Sequence, residues 1–118
     1  MDEKIKSMVD KISWLGHASF KITADKTIYI DPWKLPDGMG GDGDIVLVTH
    51  DHWDHCSPKD VEQALAPSGK LVVAECCRAM LPKADMYILP YMKFTVSDIE
   101  IYATAAYNIN KKYHLHEY

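Results

Sequence analysis

No apolar run in this chain approaches the roughly eighteen residues that a membrane-spanning helix needs. The N-terminus, Met1-Asp2-Glu3-Lys4-Ile5-Lys6, has mixed charge and no apolar stretch behind it. Neither a signal peptide nor a membrane anchor is expected, which makes a cytoplasmic location the default. A basic surplus is also missing. The formal net charge is -4 and no Lys/Arg stripe forms, so nucleic acid is not an expected partner. Cysteine is scarce: there are three, an odd number, with Cys76 and Cys77 adjacent and no C-x-x-C pair. That excludes a disulfide framework and a closed thiolate zinc site, and it fits reduced thiols packed as small apolar fillers. Internal repeats and low-complexity segments are absent as well.

What is present is the mixture of an ordinary globular domain, with 47% hydrophobic and 25% charged residues over 118 positions. That length allows a single domain spanning 1–118 with one core. Met1 to Asp10 reads as a short helical lead-in, since Ile5, Met8 and Val9 recur at helical spacing. Ile12–Leu15, Ser19–Thr23 and Thr27–Ile30 read as three strands of an antiparallel meander, with Asp25-Lys26 as a turn. The glycine-rich stretch from Asp37 to Asp44 is a loop. Ile45–Val48 is an uninterrupted apolar run, the pattern of a strand buried on both faces. Ser57-Pro58-Lys59-Asp60 opens a helix through about Leu65, which Pro67 and Gly69 end. Lys70–Ala74 reads as a strand, Glu75–Leu81 as a short helix closed by Pro82, and Met86–Leu89 as a further strand. Lys93–Val96 and Ile99–Thr104 form a hairpin about Ser97-Asp98. Strands alternating with helices are α/β grammar.

His50, His52, Asp54 and His55 place three imidazoles and a carboxylate within six positions, directly after the buried strand. Core packing does not produce such a density, whereas a divalent metal ion draws on these ligand types. With no cysteine in the cluster, an open catalytic site is favoured over a closed structural one. On a tightly turning loop His50 and His52 point the same way while Asp54 and His55 reach a neighbouring position, so two ions a few ångströms apart become feasible.

Thr49 to His55 resembles the T-H-x-H-x-D-H signature of the metallo-β-lactamase superfamily, and it follows a buried strand as that signature does. Trp14-Leu15-Gly16-His17-Ala18-Ser19-Phe20 and Ile30-Asp31-Pro32-Trp33 are similar to the opening of the branch that includes the ascorbate-6-phosphate lactonase-like hydrolases. The similarity runs from Ile12 to about His116. The resemblance implies an αββα sandwich of two similar halves, of which this chain supplies about one, the N-terminal. It implies a hydrolase using a metal-activated hydroxide on a lactone, ester or phosphoester, with a small-molecule substrate. Two divalent ions are expected, zinc first, with Mn²⁺ or Fe²⁺ as alternatives.

Residue by residue, the resemblance makes His50 and His52 ligands of one ion and Asp54 and His55 ligands of the other, Asp54 also orienting the nucleophilic water. The third histidine of the first ion is sought near Ala106-Tyr107-Asn108, where asparagine stands; His114, or His116, is the substitute a few residues on. The remaining ligands of the family belong to the second half. The chain is therefore also readable as a truncated or split metal-binding module, completed by a second half or by self-association. Four further positions are open. Asp31 either orients a ligand imidazole or caps its turn, and His17 either lines the pocket or is structural. Trp33 and Trp53 either wall the site or pack in the core.

Overall fold

The computed structural model describes residues 1–107. A short helix, α1 (Glu3–Val9), leads in. The Asp2 carboxylate caps it by accepting from the Lys4 backbone N–H at 2.7 Å, and none of its residues is buried. Strands β1 (Ile12–Gly16), β2 (Ser19–Thr23) and β3 (Thr27–Ile30) then pair antiparallel in sequence, which is the expected meander. Strands β4 (Gly43–Val48), β5 (Leu65–Ala74) and β6 (Met86–Ile88) add in parallel, giving one sheet in the order β1-β2-β3-β4-β5-β6. Helix α2 (Pro58–Ala64) forms the crossover from β4 to β5. Ser57 caps it and Pro58 occupies its first turn. Strands β7 (Lys93–Val96) and β8 (Ile99–Tyr102) make a separate hairpin.

Side chains alternate along a strand, and the pairing registers sort them into two faces. Tyr29, Val46 and Leu71 lie in one cross-strand row and Val48 and Val73 in the next, all on the face that α2 covers with Val61 and Ala64. Ile28 and Ile45, and then Leu47, Val72 and Met86, occupy the opposite face. There Phe94, Val96, Ile99 and Ile101 of the hairpin pack against them. Ile45 and Val46 are both fully buried on opposite sides of one strand, as an uninterrupted apolar run requires. The hairpin does not cover that second face completely: Ile12, Trp14 and Phe20, whose registers continue it onto β1 and β2, are 51%, 69% and 38% exposed.

Several boundaries differ from the sequence expectation, and β4 begins at Gly43 instead of Ile45. Helix α2 stops at Ala64, and β5 begins at Leu65 rather than Lys70, running through Pro67 and Gly69. Gly43 pairs with Leu65 and Ile45 with Lys70, so the intervening residues bulge. A bulge tolerates proline without a ladder donor. Gly69 permits the closeness, because a Cβ there would sit 2.3 Å from the Gly43 carbonyl oxygen. The segment expected as a helix over Glu75–Leu81 is a single 3-10 turn, Glu75–Cys77, followed by turns in which Met80 and Leu81 donate back to the Cys77 carbonyl. Strands β6 and β8 end at Ile88 and Tyr102, slightly earlier than read.

The topology also decides which chain segments meet. Because β3 and β4 are parallel neighbours, their C-terminal ends lie side by side, and the Asp31 N–H donates to the Leu47 carbonyl at 2.9 Å. Because β2 runs antiparallel to β3, with Phe20 opposite Ile30, the β1–β2 turn at His17 reaches the same end. The loops beyond the carboxyl ends of parallel strands are where open α/β sheets place ligands.

Candidate metal centre

Asp31 is the hub of this edge. It is 3% exposed and holds a left-handed backbone, φ +46°. Its Oδ1 accepts from the Thr49 backbone N–H at 2.8 Å. Its Oδ2 accepts from the Thr49 hydroxyl at 2.6 Å and pairs with His55 Nδ1 at 2.7 Å. These contacts define the protonation of two rings. A hydroxyl has one proton, and Thr49 donates it to Asp31, so Thr49 Oγ1 can only accept from His50 Nδ1, 2.9 Å away. His55 Nδ1 likewise donates to the carboxylate. Both imidazoles therefore carry a proton on Nδ1, and in the neutral ring the lone pair is on Nε2. One carboxylate thus presets two potential ligands, one directly and one through a threonine.

The remaining side chains gather around these. The His50 ring lies 4.1 Å from that of His55 and 4.8 Å from that of His52, centroid to centroid. Asp54 Oδ2 lies 2.8 Å from His17 Nε2 and 3.8 Å from His55 Nε2. Burial pushes the Asp54 carboxyl upward. The hydrogen bond from His17, its own backbone hydrogen bond and the neighbouring imidazoles outweigh that, leaving it below the usual carboxylate range. Asp54 is accordingly an anion at neutral pH. Among the described residues, two sets of donor atoms lie mutually within 4.8 Å: His17, Asp54 and His55, and Asp31, His50 and His55. Neutral imidazoles joined to carboxylates in a partly exposed loop suit a divalent ion with a position left for water or substrate. A cleft of about 550 Å³ borders the cluster, lined by Thr49 and His50 together with Leu47, Val72, Ile88 and Ile101.

The four loop residues singled out in the sequence, His50, His52, Asp54 and His55, therefore share one edge of the sheet. Asp31 both shapes its turn and orients an imidazole. His17, left open between two roles, is in direct contact with Asp54. Trp33 stacks at 4.9 Å on His17 and meets Trp53 edge-on at 5.4 Å; with Trp53 70% exposed, these rings wall the site rather than fill the core. Cys56 and Cys77 are fully buried in the helix-side core, where burial raises both thiols, the behaviour of apolar fillers. His114, His116 and Asn108 lie outside the described residues. Thr49, which links Asp31 to His50, is a functional residue that the sequence reading does not single out. Its place one residue before His50, directly after a buried strand, is the signal in the sequence.

Comparison with known proteins agrees with this geometry. Residues 11–117 match a family described as the beta-lactamase superfamily domain. A UPF0173 metal-dependent hydrolase of Methanoregula boonei is 50% identical over 46 residues, covering 37% of this chain and 20% of that protein. Another, from Koribacter versatilis, is 37% identical over 82 residues, covering 62% and 35%. A crystal structure from Parabacteroides distasonis, described as a candidate metal-dependent hydrolase, superimposes with a TM-score of 0.72 at 25% identity, covering 86% of this chain and 47% of that one. The chain thus spans about half the length of the solved relative, and the matches cover 20% and 35% of the two curated ones. Since the family match runs through all three segments that meet at this edge, the chain belongs to the metallo-β-lactamase superfamily.

Proposed function

We propose that this chain carries the metal-binding half of a hydrolase acting on a lactone, ester or phosphoester, with His50, His52, Asp54 and His55 as ligands of one or two divalent ions, zinc foremost. The observation that carries the reading is the Asp31 network: a buried carboxylate spends its hydrogen-bonding capacity on presetting the Nε2 lone pairs of His50 and His55. A purely structural loop has no need of that arrangement. When bound, such an ion supplies Lewis acidity and lowers the pKa of a water towards neutrality. Asp54, ionised and hydrogen-bonded to His17, would accept a hydrogen bond from a water held there. The tryptophan wall limits access from one side, and the apolar cleft beside His50 takes the non-reacting part of a small substrate. The three thiols, unpaired in the fold, fit a reducing, cytoplasmic setting.

A second reading is that these residues form a binding module whose turnover depends on further ligands and a facing wall. The partial coverage of the relatives and the exposed Ile12, Trp14 and Phe20 favour it. One comparison separates the two. The chain and its His50→Ala/His52→Ala double variant are loaded with Zn²⁺, analysed for metal content and assayed on a lactone and a phosphodiester. Metal binding that the double variant loses, with at most weak turnover, supports a module needing completion. Rapid turnover lost in the double variant supports a site complete in this chain. Metal content unchanged by the double substitution refutes the ligand assignment.

A further inference from the structure

The second expected ion has only Asp54 and His55 from the signature loop. The structure brings a third donor to them from elsewhere in the chain. We propose that His17 is a ligand of that ion, so that His17 Nε2, the Asp54 carboxylate and His55 Nε2 form a three-donor site within these residues. The inference rests on the metal-binding reading above.

Geometry is the first support. Asp54 Oδ2 stands 2.8 Å from His17 Nε2 and 3.8 Å from His55 Nε2, and one donor atom from each of the three side chains lies within 4.8 Å of the other two. Metal–ligand bonds of about 2.0–2.1 Å at a tetrahedral angle require donors about 3.3–3.4 Å apart. The two separations to Asp54 bracket that value, and shifts of roughly half an ångström bring each of them to it. The hydrogen bond between His17 Nε2 and Asp54 Oδ2 already joins two of the donors that the ion would bind. On binding, the Nε2 proton moves to Nδ1 in a neutral ring, or leaves to solvent from a doubly protonated one, and the Nε2 lone pair turns to the metal. His55 needs no such change, because Asp31 already holds its proton on Nδ1.

Backbone and packing give independent support. His17 adopts φ +49°, a left-handed conformation in which histidine, like asparagine and aspartate, is enriched among non-glycine residues. The turn is pinned there by the Trp14 indole N–H, which donates to the His17 carbonyl at 2.9 Å. The ring is steadied against Trp33 at 4.9 Å. Gly16, with φ +101°, supplies the preceding left-handed step. A hairpin tip 37 residues from Asp54 in sequence is thereby fixed at its backbone and hydrogen-bonded to that one carboxylate.

The test uses the purified chain, Zn²⁺ and two readouts that do not involve turnover. Calorimetric titration gives the number and affinity of sites in the chain, in His17→Asn, which keeps a residue tolerant of the left-handed turn, and in His50→Ala/His52→Ala. Long-range ¹H–¹⁵N spectra of the histidine rings report directly, in the unsubstituted chain, whether His17 Nε2 becomes metal-bound. The expected result is a metal-type shift at His17 Nε2 on saturation. His17→Asn should lose one site or weaken it at least about a hundredfold while the site abolished by the double variant persists, since loss of a partner that merely orients a ligand typically costs 10–100-fold. A His17 ring that keeps its Nε2 proton at saturation, or an unchanged titration in His17→Asn, overturns the proposal while leaving the loop assignment intact. A chain that binds no Zn²⁺, or a double variant that binds as before, overturns the metal reading itself and this proposal with it.

Discussion

Replacing Asp31 with asparagine tests the hub with little steric change. Asparagine keeps the shape and tolerates φ +46° at least as well as aspartate, so the perturbation is electrical rather than conformational. The retained carbonyl oxygen can still accept from the Thr49 backbone N–H, but an amide NH₂ now faces the Thr49 hydroxyl and His55 Nδ1. Both must become acceptors. His55 then moves its proton to Nε2, and Thr49, now receiving, donates to His50 Nδ1 and drives that proton to Nε2 as well. Two lone pairs leave the metal side together. With a cost of roughly 10–100-fold for each misdirected imidazole, zinc affinity should fall at least about a hundredfold, which corresponds to about 2.7 kcal/mol. The assay is calorimetric Zn²⁺ titration of the chain and of Asp31→Asn, with histidine ¹⁵N spectra of both metal-free proteins. An unchanged affinity, or His50 and His55 still protonated on Nδ1 in Asp31→Asn, would refute the reasoning.

Away from the site, the Tyr29 hydroxyl donates to Asp42 at 2.6 Å beside Lys21, and Lys21 first and Tyr29 second hold the Asp42 carboxyl below its ordinary value of 3.8. Tyr29→Phe should cost about 1 kcal/mol in urea unfolding at pH 7, a charged hydrogen bond discounted for the half-exposed carboxylate. Stability from a depressed carboxyl is present above its unfolded pKa and lost as pH falls through the folded one, so the gap between the two proteins should close below about pH 3.8. Gly40→Ala should destabilise by at least about 2 kcal/mol, because φ is +110° and the new Cβ would lie 2.2 Å from the Gln63 carbonyl oxygen; an unaltered denaturation midpoint would contradict that. Ile12, Trp14 and Phe20 form an uncovered apolar strip, so the chain should self-associate with concentration and bind an apolar dye. Ile12→Lys/Phe20→Lys should reduce both, and a compact monomer with no dye binding at high concentration would count against an uncovered face.

The meander, the buried central strand and the capped helix were legible because each rests on local chemistry: period-two alternation, an unbroken β-branched run, and serine followed by proline. The start of β5 was not. Pro67 and Gly69 read as breakers, and only the pairing of Leu65 with Gly43, close-packed through two glycines, makes that segment a bulged strand. The turn after β5 reads as helical in composition, but Arg78 and Met80 donate to carbonyls three residues back, so it forms a 3-10 turn and further turns instead of an α-helix.

For the site the division is similar. The signature loop stands in six consecutive positions, and ligand type and spacing alone identify a metal-type cluster. The sequence could also nominate Asp31 and His17, but not choose between their roles, because a side chain's partner depends on which strand ends become neighbours. The parallel pairing of β3 with β4 set Asp31 against Thr49 and His55, and the antiparallel return of β2 set His17 against Asp54. Local sequence determined which groups can bind a metal; sheet order and strand direction, long-range properties of the whole fold, decided which of them meet and which nitrogen each presents.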